Sequence, residues 1–151
     1  MKNLNKMCEV YYDNGRIMKR FNCKNNKFEG LYEEWNENGQ IEVKCNYKDG
    51  KLDGLYEKWY ENGQMAIRCN YKDNNLDGLY ERWFEYGQKK ERSHWKEGKR
   101  EGLYEDWYSS GQLRQRNNWK NGKLDGIFEL WDENGQLMMH LVFKNNVICN
   151  I

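Results

Sequence analysis

The sequence GLYEKW at residues 54–59 returns every 24 residues along the chain. The other copies read GLYEEW at 30–35, GLYERW at 78–83, GLYEDW at 102–107 and, slightly altered, GIFELW at 126–131. A second marker, glycine followed by glutamine, keeps the same period from residues 39–40 to 135–136. A fixed period of this kind indicates a repeat architecture. We predict a single repeat domain over residues 1–151, with units at about 6–29, 30–53, 54–77, 78–101, 102–125 and 126–149.

Each unit carries two turn signals, which alternate at spacings of 11 and 13 residues. Asn38-Gly39 is an example of the first signal and Asp49-Gly50 of the second. Because such dipeptides supply the positive φ of a two-residue type I′ hairpin, we predict that turn at every signal. The segments between the turns leave room for strands of about nine residues and for no helix. The predicted fold is all-β: a single-layer antiparallel β-meander of thirteen strands, built from six 24-residue hairpin repeats.

Two-residue turns also fix which residues face each other across the strands. A turn at residues 38–39 places Glu33 opposite Lys44. The same rule places an acidic residue opposite a basic one in each of the five remaining units: Glu9 with Arg20, Glu57 with Arg68, Glu81 with Arg92, Glu105 with Arg116 and Glu129 with His140. Such pairs stabilise a sheet by roughly 0.2–1 kcal/mol each. We interpret them as structural cross-strand pairs, with an ion-binding ladder as the alternative.

The charge balance narrows the classes of partner. The 151 residues carry 25 Lys and Arg against 24 Asp and Glu, a formal net charge of +1. Nucleic-acid binders usually show a basic excess, so no nucleic-acid partner is predicted. The first ten residues contain no apolar run typical of a secretory signal, and no stretch is long enough for a membrane span. We therefore expect a soluble, cytoplasmic protein.

The residues that usually carry chemistry are sparse and scattered. His94 and His140 lie in different units, and neither has a partner at the spacing of a metal site. Cys45 and Cys69 are equivalent positions two strands apart, a separation of about 9.6 Å that is too long for a disulfide. We predict free thiols, no cofactor, no metal and no enzymatic activity. A repeated tryptophan indicates packing between units, with a ligand-stacking track as the alternative: Trp35, Trp59, Trp83, Trp107 and Trp131.

The second strand of each unit changes character in the middle of the chain. Its alternate positions are apolar in the second and third units, for example Val43 and Cys45. They are largely polar in the fourth and fifth units, although tryptophans remain nearby. A polar interruption bordered by aromatic residues is typical of a protein-recognition patch, and a plain solvated face is the alternative. The candidate partner-binding residues are Lys89, Glu91, Ser93, Trp95, Gln115, Asn117 and Trp119.

The repeat unit resembles the MORN repeat, specifically its bacterial variant form. The likeness is clearest in NGQMAIRCNYKDNNLDGLYERW at 62–83 and in WKNGKLDG at 119–126, and it extends over nearly the whole chain. The resemblance implies an elongated antiparallel sheet without catalytic residues. Proteins of this type are often YwqK-type antitoxins of toxin–antitoxin systems, and MORN proteins more broadly act as scaffolds or membrane-proximal modules. Charge is balanced in every unit here, so membrane contact is not expected.

Three hypotheses about function follow. The first is a non-enzymatic protein-binding module, an antitoxin or immunity protein that masks a toxin. The second is a structural scaffold that self-assembles or sits near a membrane, and the third is a hydrolase. The sequence also predicts an interface at the C-terminal edge, with a second copy or a partner, because residues 137–143 and 147–151 are apolar on both faces. A terminal stub that caps the sheet is the alternative.

Overall fold

A computed structural model of the chain describes residues 6–149 as one open antiparallel sheet, and these residues contain no helix. Thirteen strands follow one another in sequence order, and each pairs only with its chain neighbours. The all-β meander predicted from the repeat is thus confirmed. The strands are β1 (Lys6–Tyr11), β2 (Ile17–Lys24), β3 (Lys27–Trp35), β4 (Ile41–Lys48), β5 (Lys51–Trp59), β6 (Met65–Lys72), β7 (Asn75–Trp83), β8 (Lys89–Lys96), β9 (Lys99–Trp107), β10 (Leu113–Lys120), β11 (Lys123–Trp131), β12 (Leu137–Lys144) and β13 (Val147–Ile148).

The turns that lead from each even-numbered strand to the next odd-numbered strand match the prediction. Both central residues have positive φ, as at Asp49 (51°) and Gly50 (82°). All six of these turns have a non-glycine residue at the first central position and glycine or asparagine at the second, as at Glu97 and Gly98. Positive φ at both positions is the type I′ geometry, whose twist matches that of the flanking strands.

The turns at the other signal differ from the prediction. In the turn after β3, the Asn36 carbonyl accepts a hydrogen bond from Gly39 N, and Asn36 N donates to Gln40 O, both at 2.9 Å. Gly39 has φ 84°, whereas Asn38 is absent from the positive-φ residues. This is a three-residue loop closed by a left-handed glycine, and the two-residue prediction was wrong here.

A β-bulge restores the predicted register after each three-residue loop. Trp35 pairs with Ile41, but Glu34 pairs with Val43, so Glu42 is an extra residue on β4. The same shift recurs in every unit. The loop is one residue longer than predicted and the bulge removes the difference, so Glu33 still faces Lys44. The bulge also interrupts the strict alternation of faces along the strand.

One face of the sheet holds the buried interior. Four equivalent positions in successive units are at most 2% exposed: Cys45, Cys69, Ser93 and Asn117. Aromatic rings on adjacent strands surround this row, as at Tyr56 and Tyr71, whose centroids lie 5.8 Å apart. Burial raises the pKa of Tyr56 to about 12 and that of Cys69 to about 11. A single-layer sheet therefore buries its interior by packing each unit against its neighbours.

Candidate functional site: a charge ladder and a polar cleft

The acidic and basic residues of the predicted cross-strand pairs form one continuous row across twelve strands. Each basic residue before His140 faces one glutamate on the strand before it and another on the strand after it; Lys44, for example, faces both Glu33 and Glu57. A second irregularity, at the positive-φ Gly54, shifts the β4–β5 register by two residues and produces this arrangement. We call the row the charge ladder: Glu9, Arg20, Glu33, Lys44, Glu57, Arg68, Glu81, Arg92, Glu105, Arg116, Glu129 and His140.

Side-chain contacts within the charge ladder are less regular than the backbone register. Four of the predicted pairs lie in contact: Glu9 with Arg20 at 2.9 Å, Glu33 with Lys44 at 3.7 Å, Glu57 with Arg68 at 3.5 Å and Glu129 with His140 at 3.2 Å. Glu81 instead contacts Lys89 at 2.7 Å, and Arg116 contacts Glu129 at 2.7 Å rather than Glu105. Burial raises the pKa of Glu129, but the hydrogen bonds and charges of Arg116 and His140 together outweigh it and hold that pKa below its usual value.

On the opposite face, the fourth and fifth units enclose polar groups where the second and third enclose apolar ones. Trp95 Nε1 donates a hydrogen bond of 2.9 Å to Ser93 Oγ, and Trp119 Nε1 donates to Asn117 Oδ1. Ser93 and Asn117 were predicted to contact a partner, but both are buried and offer it no surface. The prediction assigned Ser93 and Asn117 to the correct face of the sheet, but their side chains lie below the surface of that face.

The bulge changes which lysine belongs to this face. Strict alternation predicted Lys89 beside Glu91, but Lys89 contacts Glu81 on the charge ladder. Lys90, the extra residue of the bulge, lines a cleft with Glu91 instead. Arg114 is the equivalent bulge residue of β10 and lines the same cleft. The prediction assumed that side chains alternate strictly between the two faces, and so it missed the three-residue loop and the bulge that follows it.

Arg114 holds a buried carboxylate. Its Nε and Nη2 atoms donate hydrogen bonds of 2.9 and 2.6 Å to the two carboxylate oxygens of Asp106, which is 3% exposed. Tyr104 OH also donates to Asp106, at 2.8 Å. The hydrogen bond from Arg114 to Asp106 raises the pKa of Arg114. Such bidentate pairs fix both partners in position.

Arg100 lies among three aromatic rings. Its guanidinium carbon is 4.6 Å from the Tyr104 ring centroid, 5.4 Å from that of Trp95 and 5.2 Å from that of Trp119. Its Nη2 atom is 3.7 Å from Glu91 Oε1. The equivalent residue in neighbouring units is leucine, so a cation here replaces an apolar side chain. Two buried nitrogens in this region have no hydrogen-bond partner: Arg100 Nε and Asn117 Nδ2.

Tyr104, Asp106 and Arg114 line an open cleft of about 470 Å³ between β7 and β10. Phe84, Trp107 and Tyr108 are among its lining residues. We call it the polar cleft; its charged lining residues are Arg82, Lys90, Glu91, Asp106 and Arg114. No group of three or more His, Cys, Asp and Glu side chains within residues 6–149 could hold a metal ion.

A stacked aromatic pair lies beside the polar cleft, and one of its two residues is exposed. The rings of Phe84 and Tyr86 stack at a centroid distance of 5.4 Å and an angle of 5°, and Tyr86 is 56% exposed. The Lys90 ammonium lies 5.1 Å from the Phe84 ring centroid. Tyr86 OH donates a hydrogen bond of 3.2 Å to the Ser109 carbonyl of the next unit. Tyr86 is therefore held against the sheet although it is exposed.

A meander of stacked hairpins with a 24-residue period defines a repeat protein whose units pack only on their neighbours. The family model of the MORN repeat variant matches residues 28–49, 52–73, 100–121 and 124–145, well over half of the chain. The chain belongs to this family. MORN repeats are commonly protein- or membrane-binding modules. No curated protein matched the sequence, and no relative supports the narrower resemblance to antitoxins.

The family match is interrupted at the unit that builds the polar cleft. The matched segments stop at residue 73 and resume at residue 100, so β7 and β8 lie outside them. These strands and their turn carry Phe84, Tyr86, Lys90, Glu91 and Ser93. The described residues contain no helix that could span a membrane.

Proposed function

We propose that this chain is a non-enzymatic protein-binding module whose partner contacts the polar cleft and the adjoining Phe84–Tyr86 pair. The observation that carries the proposal is the coincidence in the fourth unit of an interrupted family match, a polar interior that it shares with the fifth unit, and the exposed Tyr86. Because the units on either side match the family model, such a departure inside the array needs a local reason. Recognition of a partner is one that accounts for all three features.

The chemistry of the surface supports a protein partner. Tyrosine, tryptophan and arginine dominate the energetics of protein interfaces. Tyr86, Tyr108 and Arg114 all lie at or beside the polar cleft. Most of these side chains are already held by stacking or hydrogen bonds, which lowers the entropy lost on binding. The balanced charge of the chain favours a protein over a nucleic acid or a membrane surface.

The proposal assigns no catalysis to the polar cleft. Its two carboxylates already contact guanidinium groups: Asp106 contacts Arg114, and Glu91 lies near Arg82 and Arg100. Neither histidine of the chain lines the cleft. These observations favour recognition over hydrolysis.

In its narrower form the proposal makes the partner a toxin that the chain masks in the cytoplasm. The resemblance of the repeat unit to that of YwqK-type antitoxins is its support. Co-expression with a toxin encoded beside this chain tests it, with growth of the host as the readout. Rescue of growth by the wild-type chain is expected, and no rescue at matched expression would contradict the antitoxin role.

The binding surface itself is tested with two matched tyrosine variants. Tyr86→Ala removes the exposed aromatic beside the polar cleft, and Tyr11→Ala removes a similarly exposed tyrosine on β1. Affinity capture from the native host, followed by titration of the isolated partner, should show at least tenfold weaker binding for Tyr86→Ala only. Equal loss from both variants, or from neither, would contradict the proposed surface.

Self-assembly is a second candidate function, favoured by the C-terminal edge. β13 pairs only with Phe143 and Lys144 of β12 among the described residues, although Cys149 N also donates to Val142 O at 2.8 Å. Residues 150 and 151 of the predicted terminal stub lie outside the described residues. Five large apolar side chains at this edge are exposed: Leu137, Met138, Met139, Val147 and Ile148. An uncovered apolar edge of this kind favours association with another chain.

Light scattering across a hundredfold dilution tests this second candidate. A mass that falls toward the monomer on dilution is expected for the wild type, and a monomeric mass at all concentrations for Met138→Lys/Ile148→Lys. A wild type that stays monomeric throughout, with slow hydrogen exchange at the Cys149 amide that donates to Val142, would instead favour a self-capped edge.

A further inference from the structure

We infer that the polar cleft binds a carboxylate-bearing, acidic segment of a protein partner. The inference rests on the proposed protein-binding function and names the chemistry that the cleft selects. It follows from the way in which the charged groups of the cleft are distributed between its floor and its rim.

The acidic groups of the polar cleft lie at its floor. The side chains of Asp106 and Glu91 are only 5% and 13% exposed. Asp106 accepts hydrogen bonds from Arg114 and Tyr104, and Glu91 lies near two guanidinium groups and accepts a hydrogen bond of 3.3 Å from Ser93 Oγ. Both carboxylates are thus engaged by the chain itself and present little negative charge to a ligand.

The basic groups form the exposed rim. The side chains of Arg82 and Arg114 are 40% and 48% exposed. Arg114 uses Nε and Nη2 for Asp106, which leaves the N–H groups of its Nη1 atom free to donate. The buried acids therefore hold the guanidinium groups in place, while the groups themselves remain available to an anion.

Lys90 adds a third cation with no acidic partner. It takes part in none of the ion pairs formed among residues 6–149, and its ammonium lies over the Phe84 ring. The lining thus has three cations against two engaged carboxylates, and its accessible charge is positive. A carboxylate at the rim would meet the free ammonium and two guanidinium groups, which bind carboxylates through paired hydrogen bonds.

The aromatic walls favour a peptide over a free phosphate. Phe84 and Tyr108 offer apolar surface next to the cations, which an acidic side chain with apolar neighbours could cover. A doubly charged phosphate would use the cations but leave these rings uncovered. The volume of about 470 Å³ lies within the range of ligand pockets, ~300–1,000 Å³.

Fluorescence anisotropy with the full chain tests the inference. The probe is a labelled peptide with three glutamates around one phenylalanine, and its control has glutamine in place of each glutamate. We expect the glutamate peptide to bind wild type at least tenfold more tightly than its control, and less tightly as salt rises.

Two lysine variants make the test specific. Lys90→Glu reverses the unpaired charge of the cleft and should weaken peptide binding at least tenfold. Lys72→Glu makes the same change at an exposed lysine of β6 outside the cleft, and should alter binding less than twofold. Far-UV circular dichroism and the urea midpoint establish that both variants are folded, and Lys90→Gln provides a milder neutralisation if Lys90→Glu is not.

Several outcomes would overturn the inference. These are equal binding of the two peptides, equal binding by wild type and Lys90→Glu, or displacement of the peptide by inorganic phosphate at tenfold lower concentration than by N-acetylglutamate. A captured partner that is lost with Tyr86→Ala but bound equally by Lys90→Glu would overturn the acidic-segment inference alone. A partner that binds Tyr86→Ala as well as wild type would overturn the proposed surface.

Discussion

Residues 30–77 and residues 78–125 share one backbone pattern but fill its buried face differently. The first pair of units encloses Cys45 and Cys69, and the second encloses Ser93 and Asn117 at equivalent positions. Strand pairing, type I′ turns and bulges are the same in both. Turns and pairing therefore set the fold, while the interior accepts polar groups where a neighbouring side chain supplies a partner. Tryptophan supplies that partner in the second pair of units.

The largest loss of stability is expected where the polar interior depends on one ion pair. Arg114→Met leaves the buried carboxylate of Asp106 without its guanidinium group. The loss in free energy of unfolding should be about 2–3 kcal/mol, at the low end for a broken buried pair because Arg114 is half exposed. Urea denaturation measures it.

The last unit supplies the control for this prediction. It carries Leu130 and Met138 at the positions of Asp106 and Arg114. Asp106→Leu/Arg114→Met copies that pair and should recover most of the lost stability, because no charge is left buried. A double variant as unstable as Arg114→Met would contradict the role given to the ion pair.

A second comparison exchanges the buried residues themselves. Cys69→Asn places an amide where the nearby ring is Tyr71, with no indole N–H to serve its oxygen. It should cost about 2 kcal/mol, as for a buried polar group without a full set of partners. Asn117→Cys should cost less than about 1 kcal/mol, since it also removes an amide nitrogen that has no partner. Equal costs in urea denaturation would show that the tryptophan does not decide which residue is accepted.

The smallest expected effect is a coupling free energy on the charge ladder, which shows whether side-chain contact or backbone register governs the interaction. Double-mutant cycles with alanine should give a coupling of about 0.5 kcal/mol for Glu57 and Arg68, which lie in contact. Glu105 and Arg116 share the same register, but Arg116 contacts Glu129 instead, so their coupling should be near zero. Equal couplings, unchanged by salt, would mean that the contacts do not govern the interaction.

The strand order was predictable from sequence because its signals are local. Each turn dipeptide marks its own hairpin, and the 24-residue period repeats the evidence five or six times. The loop length was not predictable from the dipeptide alone, since Asn-Gly suits both a two-residue turn and a loop that ends in a left-handed glycine. The error stayed hidden in the register because the extra residue Glu42 compensates for it.

The polar cleft was only partly predictable for the same reason. Glu91 and Trp95 were identified because they follow strict alternation, whereas Lys90 and Arg114 are bulge residues that alternation assigns to the other face. Arg100 carried a signal that was available, a cation in a column of leucines. The burial of Ser93 and Asn117 depends on rings from adjacent strands, which one strand's sequence does not reveal.

The charge ladder bears on how such an array can change in length over evolutionary time. Each 24-residue unit contributes one strand with an acidic ladder residue and one strand with a basic ladder residue, as with Glu57 and Arg68. Duplication or loss of a whole unit therefore keeps unlike charges adjacent at the new junction. Loss of a single strand would reverse the chain direction and bring two like charges side by side, which destabilises a sheet. The gene for this protein can accordingly grow or shrink in steps of 72 nucleotides, about three per residue of a 24-residue unit.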